Sequence, residues 1–331
     1  MDKEHIQGLM IAAERNTFQS YLEKHHEANW AEVLEKLLPS IHPVDQVATQ
    51  IWFSFWPLKL SRLLHQAEDP QRVAKQLLLD GNYRLEDQLD SSVEFLYGAR
   101  FWPDVKRAIL AVAERTTRPE GTPLDRQIRQ VASQVASDRQ VAEAVVLGIA
   151  AVGFMALQQV GIDVFSEVVG GPSTRPLDKR SPEEMLRVRS TESRSGLLGF
   201  LHQVDRRFVV TFDENRKDAR FQVVRGQDLS MASAADTRDY KSQDPRRIAG
   251  PIPAQCRSAA CGYCWVGVLG GKEKLSPVTP FERKRLRHFG YDSTESEGES
   301  HPHIRLSCQS RCYGDVVLVV PPWNGVLEGR E

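Results

Sequence analysis

Five cysteines fall within the last quarter of the sequence, after 255 residues that contain none. The stretch "CRSAACGYC" places Cys256, Cys261 and Cys264 at C-x4-C-x2-C spacing, and Cys308 and Cys312 follow. Soft thiolates gathered in this way suit zinc, Cu(I) or an iron–sulfur centre. The residues between them are Arg257, Ser258, Ala259, Ala260, Gly262 and Tyr263, mostly small. Small residues let backbone N–H groups approach sulfur closely, which a negatively charged thiolate centre requires.

Spacing separates the candidates. Three thiols at C-x4-C-x2-C followed by a distant fourth is the plant-type [2Fe–2S] arrangement. Structural zinc is the main rival, with Cys261 and Cys264 as one knuckle and Cys308 and Cys312 as a looser second one. That set leaves Cys256 idle and gives no reason for the small-residue loop. A Rieske centre needs histidines in place of two cysteines, and no C-x-H motif occurs, so His301 and His303 read as loop residues. Cysteines without metal remain an option, and "CGYC" has thioredoxin-like spacing. It precedes the strand-like "WVGVLGG" rather than opening a helix. No base for a nucleophilic cysteine is identifiable. "GVLGG" is too short for a dinucleotide fingerprint, and no nicotinamide or flavin signature is present. A carrier or electron-transfer subunit is therefore expected rather than a catalyst.

Residues of about 206 to 322 resemble the plant- and adrenodoxin-type [2Fe–2S] ferredoxin domain. The matching elements are a hairpin ("RRFVVTF", "ARFQVVRG"), the loop "CRSAACGYCWVGV", a helix after "LSPVTP", and "RLSCQSRCYGDVVLVVPP". The resemblance implies an α+β β-grasp fold and a [2Fe–2S] cluster held by Cys256, Cys261, Cys264 and Cys308. It also implies one-electron transfer between redox partner proteins, with Cys312 left without an assigned role. Two departures stand out. "LSMASAADTRDYKSQDPRRIAGPIPAQ" is long and polar where the family has a clear helix. The helix after the loop is basic, with Arg283, Lys284, Arg285 and Arg287 against Glu282, where many relatives dock through acidic surfaces. A different-class alternative is a sensor or interaction protein in which the cluster, or a zinc, controls docking of the other half.

The elements that must position these thiols divide into two patterns. From residue 1 to about 170 the periodicity is helical, implying an all-α domain. "WAEVLEKLLPSI" sets Trp30, Val33, Leu34, Leu37 and Leu38 on one face and ends near Pro39, while Pro57 breaks the next apolar stripe. Trp52, Phe53, Phe55, Trp56, Tyr97, Phe101 and Trp102 read as core, and His25 and His26 as solvated. Residues 171–200 have linker composition, although "SPEEMLRV" carries a helix start at Ser181 and Pro182. Residues 201–331 form the ferredoxin-like domain in this reading, expected to keep its centre when separated from the helical half.

Net charge is −1, which gives no electrostatic case for nucleic acid. The most apolar stretch, "AVVLGIAAVGFMAL", is shorter than the roughly 20 residues that span a bilayer; a buried core helix is expected and no membrane span. Without a visible secretory signal or disulfide framework, a cytoplasmic location is expected.

Overall fold

The computed structural model describes residues 17–116, 119–167, 179–190, 206–291 and 298–324. Two compact units emerge, and their boundaries depart from the expected ones. One combines Met1–Arg62 with Arg84–Leu177; the other combines Leu63–Tyr83 with Asp178–Glu331. The chain thus leaves the helical unit early, contributes about twenty residues to the second unit, and returns.

The helical unit contains α1 (17–23), α2 (Glu27–Leu37), α3 (Pro43–Phe55), the start of α4 (Leu58–His65), α6 (Trp102–Arg115), α7 (Leu124–Arg139) and α8 (Ala144–Glu167). Proline placement explains the boundaries. Pro43 opens α3 behind His42, whose Nδ1 accepts from Val44 N at 3.3 Å, and Pro57 separates α3 from α4. Of the expected face of α2, Trp30, Val33 and Leu37 are buried, while Leu34 is half-buried and so is Leu38, which lies in the turn after the helix. Trp52, Phe55, Trp56, Tyr97 and Trp102 are core residues, whereas Phe53 and Phe101 are half-buried. His25 and His26 are more engaged than the sequence implies. The His25 ring packs edge-on against Tyr21 at 4.8 Å, and the backbone N–H of His26 donates to Asn29 Oδ1 at 2.9 Å.

Helix α8 is the axis of this unit and packs against α3, α6 and α7. It extends beyond the apolar stretch to 24 residues, with a kink at Gly161 where Ile162 N donates to Gln19 Oε1 at 2.9 Å. By length and composition it is apolar enough to cross a membrane, but 94% of its most apolar window is buried within the fold. Its continuous hydrophobicity belongs to a helix surrounded by others on all sides.

The second unit is α+β. Its strands are β1 (Asp80–Gly81), β2 (Arg207–Thr211), β3 (Arg220–Val224), β4 (Trp265–Gly270), β5 (Ile304–Leu306), β6 (Val316–Val319) and β7 (Trp323–Asn324). Among the described residues five of them form a mixed sheet ordered β3-β2-β6-β4-β5, while β1 and β7 pair separately. β2 and β3 are the antiparallel hairpin read from the sequence, β2 runs parallel to β6, and β4 lies antiparallel to both β6 and β5. Alternation in β2 and β3 buries Phe208, Val210, Phe221 and Val223. Every residue of β6 is buried, as for a strand with neighbours on both sides.

Among the described residues the unit also contains the end of α4 and the helices α5 (Pro70–Gln76), α9 (Pro182–Ser190), α10 (Leu229–Ala234) and α11 (Pro280–His288). α10 is six residues long, so the connection from β3 to the cysteine loop is mostly irregular. Within the expected linker, α9 is an ordered helix whose Ser181 and Glu184 cap one another reciprocally. It contacts β4, buries Met185, and joins Arg189 to Glu214 in a buried ion pair at 2.8 Å. The linker expectation is therefore corrected for 182–190. Its other positions, apart from 179–181, lie outside the described residues.

Candidate metal centre

The loop 256–264 connects the irregular stretch after α10 to β4, and Cys308 lies in the turn that follows β5. β4 and β5 are paired, Trp265 opposite Leu306, which brings the two cysteine-bearing segments together. Ser307 N donates to Cys264 O at 2.8 Å and closes the junction.

Within the loop, the sulfur of Cys256 accepts from three backbone N–H groups: Ser258 at 3.4 Å, Ala260 at 3.2 Å and Cys261 at 3.4 Å. This convergence needs a tightly coiled backbone. Arg257 (φ 54°) and Ala259 (φ 61°) take left-handed conformations, which cost L-residues roughly 1–2 kcal/mol each. Such conformations persist where surrounding contacts over-determine them. Those contacts come from α11. Arg285 Nε donates to Ala259 O at 2.9 Å and Nη2 to Ala260 O at 2.5 Å. Gly262 lies at φ +72° against the Phe289 ring, where a Cβ would come to 3.0 Å.

The thiols associate in two pairs. Cys256 is hydrogen-bonded with Cys261, and Cys264 with Cys308. The backbone of Ala259 bonds Cys308, and the charge of Cys256 is felt there too, so the pairs are neighbours. Gln309 Nε2 adds a donor 3.6 Å from Cys308 Sγ. Burial raises the Cys256 thiol, but hydrogen bonds from Ser258 and Cys261 outweigh it and lower the pKa to about 6. The hydrogen bond with Cys264 is the main cause of Cys308 falling to about 7. Their partners move the other way. Cys264 is raised well above the ordinary range by its bond to Cys308 and by burial, and burial raises Cys261. Within each pair the hydrogen bonding makes Cys256 and Cys308 the more acidic members.

Cys312 sits elsewhere. It is fully buried in the apolar core of the sheet, its Sγ donates to Gly314 O at 3.0 Å, and burial pushes its pKa to about 11. His303 is half-buried with Nδ1 3.1 Å from Val268 O. Among the described residues, no three His, Cys, Asp or Glu side chains converge on a position suited to one metal ion.

Several supporting residues carry no local sequence signal. Glu282 and Arg305 are both 0% exposed and joined by two 2.9 Å bonds. Glu282 Oε1 also accepts from Leu306 N at 2.9 Å, and Arg305 Nη1 donates to Ser276 O at 2.8 Å. The pair fixes α11, which holds the loop, to β5, which leads into Cys308. Glu282 and Arg285 are therefore internal fasteners, not part of the charge balance of an exposed basic helix. Comparison with protein-family models, curated proteins and solved structures found no match.

Proposed function

We propose that the second unit is a β-grasp domain of [2Fe–2S] ferredoxin type and that the protein transfers single electrons between partner proteins. The observation that carries this reading is the convergence of the loop and the Cys308 turn through the β4–β5 ladder, with Cys256 beside Cys261 and Cys264 beside Cys308. A centre of two irons shared among four thiolates takes two from each pair, whereas zinc requires all four around one ion. The distance of Cys312 from these pairs in environment and bonding also speaks against the two-knuckle zinc set. The parallel pairing of β2 with β6 in the order β3-β2-β6-β4-β5 supports the β-grasp reading.

A [2Fe–2S] cluster, when bound, supplies reversible one-electron redox chemistry. The chain's own groups set the conditions for it. N–H groups at Ser258, Ala260 and Cys261 offset negative charge at the Cys256 sulfur, and Gln309 does the same at Cys308. Cys264 and Cys308 lie in the buried part of the loop region, while Cys256 and Cys261 are half-exposed, which favours a partner's approach from their side. The exposed loop and the remaining cations of α11 would meet that partner.

The test is the metal and acid-labile sulfide content of full-length protein, with visible and EPR spectra. Two irons and two sulfides per chain, with an EPR signal on one-electron reduction, are expected. Zinc without sulfide would overturn the reading.

A further inference from the structure

The thiol loop is also held by a strand that comes from the N-terminal half of the chain. β1 pairs with β7, with Asp80 opposite Asn324 and Gly81 opposite Trp323, and Asn82 N donates to Pro322 O at 3.1 Å. Among the described residues β7 has no other strand partner. Asn324 is 0% exposed and its amide works in two directions. Nδ2 donates to the carbonyl of Tyr263, the residue just before Cys264, and Oδ1 accepts from Arg246 Nη1 at 2.6 Å.

Arg246 is itself buried and immobilised. Its Nε donates to Asp244 Oδ1 at 2.9 Å and its Nη2 to Pro321 O at 3.1 Å. Gly81 closes over this guanidinium. At φ +79°, a Cβ there would lie 2.6 Å from Arg246 Nε and 2.7 Å from Pro322 O. The Tyr263 phenol stands beside the Asp80 carboxylate, and Trp265, the residue after Cys264, donates its Nε1 hydrogen to Trp323 O at 3.3 Å. Both sides of Cys264 are thereby tied to the β1–β7 pair.

We propose that β1 is a clasp for the thiol loop. Docking of Leu63–Tyr83 fixes Arg246 and Asn324, and Asn324 acts as a positioning residue that holds the Tyr263 carbonyl and hence Cys261 and Cys264. The segment comes from the N-terminal half of the chain, so residues far upstream of the cysteines hold the loop through hydrogen bonds. The redox effect of this hold rests on the electron-transfer reading above; the clasp itself does not.

The experiment uses full-length protein carrying Gly81→Val, Gly81→Ala, Asn324→Leu, and Gly81→Val with Asn324→Leu, each checked for folding by circular dichroism. In reduced, metal-free protein, iodoacetamide labelling of Cys261 and Cys264 is timed by peptide mass spectrometry. In reconstituted protein the EPR g-values and midpoint potential are read. Each single variant should raise the labelling rate about fivefold, the factor for one net hydrogen bond, and alter the EPR signal. The double variant should add little, since both changes break one chain of contacts. Wild-type labelling and spectra in folded Gly81 variants would overturn the clasp, and so would a double effect equal to the product of the singles. Should Gly81→Val fail to fold, Gly81→Ala decides, because its Cβ already meets Arg246. If the protein takes up no iron and sulfide, the function fails while the labelling rates still decide the clasp.

Discussion

Replacing Arg305 by Met should damage the second unit far more than the loss of one surface charge. Arg305 makes two 2.9 Å bonds to Glu282 and one of 2.8 Å to Ser276 O, with both ionised side chains 0% exposed. In the variant, the Glu282 carboxylate stays buried with the Leu306 N–H as its remaining described partner. Breaking a buried pair by removing one member costs about 3–5 kcal/mol. With a urea dependence of about 2 kcal/mol/M, a cost of about 4 kcal/mol moves the unfolding midpoint down by about 2 M. The two units need not unfold together, so the measurement is urea-dependent hydrogen exchange of β4, β5 and β6 amides, followed by peptide mass spectrometry. Protection at equal urea should fall about a thousandfold, at 1.4 kcal/mol per decade. Combining Arg305→Met with Glu282→Leu should recover most of the loss, because two apolar side chains leave no stranded charge. A cost below about 1 kcal/mol for Arg305→Met, or a double variant no better than the single, would refute the reasoning.

Single serine variants should separate the cysteines: Cys256, Cys261, Cys264 and Cys308 variants lose iron and sulfide, while Cys312→Ser keeps both and loses about 1–3 kcal/mol of stability by burying a hydroxyl in an apolar core. Metal and sulfide analysis checks this; dependence on Cys312 but not Cys256 points to zinc. In metal-free protein, iodoacetamide should label Cys256 first. Its pKa lies near 6, so the rate should rise between about pH 5 and 7 and then plateau, whereas Cys312, near 11, stays unlabelled in the native state. A fragment starting near residue 196 lacks β1 and α9, so it should bind iron weakly or not at all, and adding 63–83 and 179–195 back should improve retention.

Local grammar made some of this architecture legible. The hairpin of β2 and β3 follows from two alternating runs around a polar loop, and α11 from Thr279 as cap before Pro280 with a stop at Gly290. Ser181 and Pro182 marked the start of α9, where Ser181 and Glu184 cap one another, but composition alone assigned its surroundings to a linker. The decisive burial came from Arg189 meeting Glu214, which no local pattern shows. The same reason hid β1. Two residues, Asp80 and Gly81, carry no alternation, and their pairing with Trp323 and Asn324 depends on tertiary contacts alone. At the site, spacing marked the thiols of Cys256, Cys261, Cys264 and Cys308, while the groups that hold them, Arg285, Arg305 and Asn324, lie far from them in sequence or read as surface charge. Cys312 was ambiguous by spacing because the turn after Cys308 carries the chain into the sheet core.

The separation between β1 and β7 has a consequence for biosynthesis. Gly81 leaves the ribosome about 240 residues before Trp323, a delay of roughly 12–50 s at 5–20 residues per second. Throughout that interval β1 has no ladder to join, since among the described residues β7 is its strand partner. Cys308 and β6 also emerge late, so the Cys264–Cys308 pair, the parallel β2–β6 contact and the β1–β7 ladder all form after synthesis has passed residue 300. Maturation of the second unit is therefore a late event, and the segment 63–83 waits for almost the whole chain before its ladder can close.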